Sequence, residues 1–326
     1  MMLVLIIPHE WGHMIVARLC GVKINEFSVG MGPLLYKKQK GDTQYSVRLL
    51  PLGGYCAMEG EEESVDSPTS YSSKSYPQKI AILLAGVTMN VIIALLAVTI
   101  SLCISGVVTN TLGSVVAGSP AEAAGLMEGD TITAINGVKT DTWDSVVEGI
   151  SSWKEGETLE ITYERESGSD TVSVVPEYND ESKSYMIGIQ AGYTKDFGKC
   201  LSLAPSTTWN LFKAIIDSFK MLITGGVSKD DIAGPVGLVK VVDVAADYGI
   251  APYLMLLALV SLNLALFNLL PIPGLDGGKI FFILLKIISG GRINDDMEYK
   301  ATVAGMVLLL TFFVLVTVND VMNLFG

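Results

Sequence analysis

The chain has 326 residues, of which half are hydrophobic and only 17% are charged, with a mean hydropathy of +0.46. This balance excludes an ordinary soluble globular protein and indicates a membrane protein. The formal charge of −12 excludes nucleic acid as a partner. The four cysteines are scattered without a CxxC pair, which excludes a disulfide framework and a cysteine metal site.

Four apolar segments are candidates for membrane spans, because a bilayer core needs roughly 20 apolar helical residues. The segment from Ile280 to Ile288 is too short to span and is expected to lie beside or partly within the membrane. Met1 to Pro8 lacks the basic leading region of a signal peptide, so we interpret it as the beginning of the first span. The predicted fold class is a multi-pass α-helical membrane protein with spans at 1–20, 80–108, 252–270 and 302–318.

The loop between the first two spans predicts a β-hairpin. Alternating residues from Gln44 to Leu49 follow a Lys-rich turn at residues 37–42, and the pair Gly53-Gly54 is expected to end the hairpin. The acidic, Ser-rich run from Glu59 to Ser75 predicts an exposed, flexible loop.

The polar middle of the chain predicts an inserted α+β domain followed by an amphipathic helix. Short β-type segments are expected at 131–135, 158–164 and 171–175, with a helix at 145–152. Apolar residues at helical spacing predict the amphipathic helix at 206–223. The expected organisation is a first core part at 1–108, the α+β domain at 109–192, the helix and linker at 193–250, and a second core part at 251–326.

Lysine and arginine residues predict the orientation. They concentrate in the first and third loops, which should face the cytoplasm. The acidic domain is then expected outside the cytoplasm.

The sequence His9-Glu10-Trp11-Gly12-His13 is an HExxH motif. Residues four apart share one helix face, so both imidazoles can reach one metal while Glu10 lies beside its bound water. Two unrelated histidines on a helix are the alternative. However, these are the only histidines of the chain, and each ionisable group in an apolar helix costs about 2.5–3.5 kcal/mol, so such groups are normally functional.

A catalytic zinc takes three protein ligands and keeps one open position. Because the chain has no third histidine, the third ligand should be a carboxylate, and Asp276 is the candidate. It follows a Pro271/Pro273 break at the end of the third span and precedes Gly277-Gly278, a composition that suits non-helical backbone beside a cavity. The alternative is an interfacial turn with a solvated aspartate.

Several separated motifs resemble the site-2 protease family, the RseP/RasP-like intramembrane zinc metalloproteases, over nearly the whole chain. These motifs are HEWGH at 9–13, Glu26-Phe27 with Gly30, Gly32 and Pro33, RLLPLGGY at 48–55, Ala85-Gly86 with Asn90, and NLLPIPGLDGG at 268–278.

This resemblance implies that His9, His13 and Asp276 bind Zn²⁺ and that Glu10 is the general base. It makes Asn268, Pro271, Pro273, Gly54 and Asn90 candidates for substrate binding, with the hairpin segment 44–50 presenting an edge to the substrate. An interhelical hydrogen bond is an equally open role for Asn90 and for Asn263. Two departures are the eight residues before His9, which make a short first helix, and Val87, where the family commonly has proline.

The pattern from Ser119 to Leu126, with Gly129-Asp130 and Asn136-Gly137, resembles a bacterial PDZ domain. Such a domain adds a peptide strand to a sheet edge and caps its C-terminal carboxylate on a loop, which we place at residues 112–115. Binding of peptide C-termini and exclusion of bulky substrates by size both stay open.

The resulting prediction is an intramembrane zinc protease that hydrolyses single-pass membrane proteins, with anti-sigma factors and signal-peptide remnants as the substrates that the family implies. One alternative is a catalytically weak membrane PDZ scaffold, which the presence of Glu10 disfavours. The other is a metal transporter, which the lack of ionisable residues at the centres of the second and fourth spans disfavours.

Overall fold

A computed structural model describes residues 1–61, 65–165, 168–180, 183–224, 234–290 and 295–325. The chain forms two compact units, one of Met1–Ser101 with Ala204–Gly326 and the other of Leu102–Leu203. The helices are α1 Met2–Leu19, α2 Tyr76–Ser105, α3 Pro120–Ala123, α4 Trp143–Ser151, α5 Phe197–Thr224, α6 Pro235–Asp247, α7 Ile250–Leu269, α8 Asp276–Ile288 and α9 Asp295–Phe325. The strands are β1 Ile24–Lys40, β2 Thr43–Met58, β3 Val107–Val115, β4 Thr131–Ile135, β5 Val138–Lys139, β6 Leu159–Arg165, β7 Gly168–Val174, β8 Glu177–Asn179, β9 Ser184–Met186 and β10 Ile189–Thr194.

In the described part of the chain, four helices are long and apolar enough to cross a membrane. They are Met2–Leu19, Tyr76–Ser105, Ile250–Leu269 and the segment Asp296–Val318 of α9. Each coincides with an apolar segment that the sequence predicts as a span. Helix α8 has 13 residues, so its length of about 20 Å is short of a hydrocarbon core of about 30 Å.

Strands β1 and β2 form a sheet of four segments, because both strands double back. Phe27 of β1 pairs with Cys56 on one side and with Tyr45 on the other, while Tyr45 also pairs with Lys38. The segments therefore lie in the order 34–40, 43–50, 24–29 and 54–58. The hairpin of segments 34–40 and 43–50 ends before Gly53-Gly54, as predicted, and β2 then doubles back and continues to Met58 on the other side of segment 24–29.

The two ends of this sheet differ in polarity. Where the strands double back, large apolar side chains are exposed, among them Met31, Leu34 and Leu50. At the opposite end, Nη2 of Arg18 donates to the Thr43 hydroxyl at 3.1 Å, and Thr43 in turn donates to the carbonyl of Ile24 at 2.9 Å. The sheet thus presents one apolar end and one polar, basic end.

The loop after β2 is anchored, unlike the flexible loop that the sequence predicts over residues 59–75. Among its described residues, Ser70 and Tyr71 are buried. Tyr71 packs into a core that includes Met14 of α1 and Ile82 of α2. Its backbone N–H donates to the carbonyl of Glu59 at 2.7 Å. Residues 62–64 lie outside the described residues.

The second unit is an α+β domain with the strand order β10-β3-β4-β6-β7, with β5 paired to β4. Helix α4 packs on β3 and β4. The core is formed by buried hydrophobic side chains from the strands, the helices and the loops between them, namely Leu112, Ala121, Leu126, Ile132, Ile135, Val146, Leu159, Ile161, Tyr163, Val174 and Ile187. The proposed carboxylate loop at 112–115 is wrong, because these residues belong to β3 and pair with β10.

Side-chain caps and one ion pair define the ends of the elements in this unit. Ser119 accepts from the N–H of Glu122 at the start of α3, and Thr142 forms a capping box with Ser145 at the start of α4. Asp130 is almost fully buried and receives two hydrogen bonds from Arg165, at 2.6 and 2.7 Å. Burial raises the pKa of Asp130, but the hydrogen bonds from Arg165 and from the Met127 N–H outweigh burial, so its pKa lies below the ordinary value.

Candidate metal centre and active site

Two histidines of α1 and the first residue of α8 meet inside the first unit. Nε2 of His9 and Nε2 of His13 are 3.2 Å apart. Each also lies 3.3 Å from Oδ2 of Asp276. The structure thus brings together the three residues that the sequence predicts as metal ligands, although Asp276 lies more than 260 positions after the two histidines in the chain.

This donor set fits zinc. Bonds of about 2.0–2.1 Å from a tetrahedral zinc place neighbouring ligand atoms about 3.3 Å apart, which is the spacing of these three atoms. Oδ2 of Asp276 is buried and receives no hydrogen bond, so a cation would supply its missing partner. Two imidazoles and one carboxylate leave the fourth position open, as a catalytic zinc requires.

Both imidazole rings have a partner on their other nitrogen, from α2. Nδ1 of His13 lies 2.8 Å from the backbone carbonyl of Ile82, which can only accept, so His13 carries its proton on Nδ1 and presents a lone pair on Nε2. Nδ1 of His9 lies 3.3 Å from the side-chain amide of Asn90. Such outer contacts fix the ring planes of metal-binding histidines.

Close approach of α1 and α2 makes room for the rings, and it depends on two glycines. A methyl group on Gly12 would lie 2.5 Å from the carbonyl oxygen of Ala85. A methyl group on Gly86 would lie 2.3 Å from Nε2 of His13 and 2.7 Å from Cε1 of His9. Gly86 therefore leaves the space that the imidazoles of His9 and His13 occupy.

The backbone between α7 and α8 places Asp276. After Leu269 the chain leaves the helix and turns back so closely that a methyl group on Gly277 would lie 2.4 Å from the carbonyl oxygen of Leu269. Pro273 in this turn is half-buried, and a methyl group on Gly305 of α9 would lie 2.3 Å from its carbonyl oxygen. Pro271 is exposed at the surface of the same turn. The turn thus fixes the position of the carboxylate from both sides.

Glu10 and Gly54 lie side by side between α1 and β2. A methyl group on Gly54 would lie 3.6 Å from Cγ of Glu10 and only 2.8 Å from the carbonyl oxygen of Ser28. The segment 54–58 of β2 pairs with β1 on one side only, whereas residues 44–47 pair with β1 on both sides. The predicted edge at 44–50 is therefore wrong over residues 44–47. In the described residues, segment 54–58 has one unpaired edge, and its Gly54 lies beside Glu10.

The two asparagine candidates occupy different places. Nδ2 of Asn268, at the end of α7, lies 3.5 Å from Nε2 of His9, on the side of the ring that faces Asp276. Asn90 is 1% exposed and lies on the opposite side of the same ring.

Sequence reasoning missed the roles of Gly86 and of the Ile82 carbonyl. The pair Ala85-Gly86 in a long apolar helix was the available signal for close helix packing, since small residues let membrane helices approach each other. It also missed the ion pair between Lys279 of α8 and Glu61, at 2.7 Å. No pattern in the sequence connects these two residues.

Comparison with known proteins identifies the family. The model of peptidase family M50 matches residues 1–312. The chain belongs to peptidase family M50. A predicted zinc metalloprotease of Clostridium acetobutylicum is 36% identical, with 98% of this chain and 94% of that one covered. The zinc metalloprotease RasP of Shouchella clausii is 29% identical, with 99% and 97% covered. The regulator of sigma-W protease RasP of Bacillus subtilis is 28% identical, with 98% and 96% covered.

This M50 peptidase is an intramembrane zinc metalloprotease of the site-2 protease type. Solved structures were also compared with the chain. The PDZ domain of the SdrC-like protein Lin2157 from Listeria innocua is 29% identical, covering 26% of this chain and 96% of that one with a TM-score of 0.24.

Proposed function

We propose that this M50 peptidase cuts single-pass membrane proteins within or beside their membrane segment, after another protease has removed their outer part. Anti-sigma factors and signal-peptide remnants are the two substrate classes. The observation that carries the proposal is the 3.2–3.3 Å triangle of His9, His13 and Asp276 donor atoms on otherwise apolar elements. A sigma-W regulator among the relatives supports the first substrate class.

In this proposal His9, His13 and Asp276 would hold the zinc, which when bound would supply Lewis-acid polarisation of the scissile carbonyl and a water whose pKa is lowered to about 7. Glu10 is next to His9 in the chain and beside Gly54 in space. Its carboxylate takes a proton from the water and then gives that proton to the amide nitrogen of the leaving group. A purely structural metal site would have no use for this base.

The substrate is proposed to bind as an extended strand along the edge of residues 54–58. Peptide hydrolysis needs an extended backbone, so a transmembrane helix must first unwind, and an unpaired strand supplies the hydrogen bonds that the helix loses. Gly54 keeps this edge close to Glu10. Asn268, with its amide 3.5 Å from Nε2 of His9, is placed to donate to a substrate carbonyl at the metal. Pro271 and Pro273 act by shaping the turn that carries Asp276.

The four apolar helices are proposed to be four spans, and the doubled-back sheet a re-entrant element. Its exposed apolar end, with Met31, Leu34 and Leu50, suits hydrocarbon, while its basic end with Arg18 and Lys40 suits the cytoplasmic interface. The α+β unit then lies outside the cytoplasm of a bacterial cell.

The α+β unit is proposed to be a PDZ domain, on the basis of its sequence pattern and strand order. In the described residues β10 has a strand on one side only, which leaves its outer edge for a peptide. Titration of the full chain with a short peptide that has a free C-terminus, and with the same peptide amidated, distinguishes capture of C-termini from exclusion by size. Binding of the free peptide alone supports capture, and binding of neither supports exclusion by size.

The proposed function is tested by co-expressing a tagged, outwardly trimmed single-pass substrate with the wild type and with Glu10→Gln. We expect cleavage by the wild type and none by Glu10→Gln, with zinc still bound to both. Glu160→Gln, on the exposed face of β6, is the matched control and should cleave normally.

Equal cleavage by the wild type and Glu10→Gln would refute the role of Glu10. Absence of cleavage by a folded, zinc-loaded wild type across both substrate classes would favour a membrane scaffold instead.

A further inference from the structure

We propose that Asn90 is a positioning residue for the metal centre, whose side-chain oxygen accepts a hydrogen bond from Nδ1–H of His9 when zinc is bound. This inference rests on the proposed zinc site and assigns Asn90 to the protein side of that site. It replaces the substrate-binding role that the family resemblance suggests for Asn90.

Burial separates Asn90 from any substrate. The residue is 1% exposed, and its backbone carbonyl accepts a hydrogen bond at 2.8 Å from the hydroxyl of Ser261, on α7. Its side chain lies against the Nδ1 side of the His9 ring, whereas Asp276 and His13 lie on the Nε2 side. Asn90 can therefore influence the metal only through His9.

The donors and acceptors available on the two side chains decide which amide atom of Asn90 faces His9 in the zinc-bound protein. An imidazole that binds a metal through Nε2 carries its proton on Nδ1, which is then a donor. In the structure Nδ2 of Asn90 is the atom 3.3 Å from Nδ1, and Oδ1 of Asn90 is buried without a donor. A half-turn of the amide exchanges these atoms, which are nearly equal in size, and gives Oδ1 the donor that it lacks.

His13 shows the same arrangement with a backbone group. Its Nδ1 lies 2.8 Å from the carbonyl of Ile82, which precedes Asn90 by about two turns on the same helix. Helix α2 thus offers one acceptor to each metal-binding imidazole, a main-chain carbonyl for His13 and a side-chain carbonyl for His9. Loss of such an outer contact typically weakens metal binding by about 10–100-fold.

The test compares Asn90→Leu, which has no acceptor, with Asn90→Asp, which has only acceptors. Zinc affinity of the purified full chain in detergent is measured by competition with a zinc chelator. We expect Asn90→Leu to bind zinc about 10–100-fold more weakly and Asn90→Asp to bind it at least as well as the wild type. The matched control is Asn263→Leu on α7, whose amide donates to the carbonyl of Leu259 in its own helix, and its zinc affinity should not change.

Nitrogen NMR of histidine-labelled protein gives a readout independent of activity. The chain has only two histidines, so both rings are resolved and each should carry its proton on Nδ1 when zinc is bound. In Asn90→Leu, only the His9 resonances should move.

Equal zinc affinity in Asn90→Leu and the wild type would overturn the proposal, and so would equal weakening in Asn90→Leu and Asn90→Asp. If Asn90→Leu does not fold, Asn90→Asp decides alone, because a donor role for Asn90 predicts loss of zinc where our proposal predicts retention. A wild type that binds no zinc would instead refute the proposed function.

Discussion

Replacing Gly86 by alanine should empty the metal site while leaving the fold nearly intact. The added methyl group would lie 2.3 Å from Nε2 of His13, and ordinary contacts begin at 3.4 Å, so the ring must move by about 1.1 Å. Metal sites tolerate deviations of about 0.2 Å in ligand distance. The required shift is several times larger, so we expect zinc affinity to fall by more than about 100-fold.

The effect on stability should be much smaller. Alanine is favoured over glycine in a helix by roughly 0.5–1 kcal/mol, and overpacking costs about 1–3 kcal/mol. These contributions oppose each other, so unfolding should shift only modestly while the metal is lost. Gly198→Ala is the matched control, because Gly198 is an exposed helical residue in the first turn of α5 whose nearest atom is a flexible side-chain oxygen of Asp196 at 3.2 Å.

The assay is zinc content per chain by mass spectrometry after equilibration in zinc buffers, combined with cleavage of a membrane substrate. We expect Gly198→Ala to match the wild type and Gly86→Ala to lose both zinc and cleavage. Full zinc occupancy and full cleavage in Gly86→Ala would refute the packing argument.

Three further predictions concern the doubled-back sheet, the turn before α8 and the α+β unit. Glu26→Gln should loosen the sheet, because Glu26 accepts from Arg48 at 2.9 Å across two segments, and hydrogen exchange at residues 43–58 should become faster; unchanged exchange would contradict this. Gly277→Ala should destabilise the protein by about 1–3 kcal/mol and release zinc, since its methyl group meets the backbone at the end of α7, and an unaltered melting temperature with full zinc would argue against it. Arg165→Met should lower the melting temperature of the α+β unit at neutral pH, because Arg165 holds the pKa of Asp130 below its ordinary 3.8. A group whose pKa is lowered in the folded state stabilises the fold above the unfolded-state pKa and loses this effect as the pH falls. The difference in melting temperature between variant and wild type should therefore shrink below about pH 4. A constant difference down to about pH 2 would exclude this coupling between Asp130 ionisation and stability.

The parts of the fold that follow from local patterns could be predicted. Long apolar runs predict the four helices that are long and apolar enough to cross a membrane, because the bilayer requirement is one of length and composition. The candidate for the third ligand followed from chemistry, because the lack of a third histidine leaves a carboxylate, and Asp276 follows the break that contains Pro271 and Pro273. The structure places its carboxylate beside both histidines.

The parts of the fold that depend on close contact between segments far apart in the sequence could not be predicted. β2 doubles back just before Gly53-Gly54 and pairs again with segment 24–29, where both glycines make close contacts with β1 and Gly54 also with α1. Tyr71 belongs to a segment whose sequence predicts an exposed acidic loop. Its side chain is nevertheless buried, because it packs against residues of α1 and α2. Apart from the small Ala85 before it, nothing in the neighbouring sequence indicates the space at Gly86. The imidazoles that occupy this space belong to His13 and His9, 73 and 77 positions away.

Zinc K-edge X-ray absorption of the purified wild type tests the ligand assignment most directly. We predict one zinc per chain, with scattering from two imidazoles and from oxygen and none from sulfur, and the same first shell in Glu10→Gln. Sulfur at about 2.3 Å would show that cysteines hold the metal and would contradict the assignment of His9, His13 and Asp276.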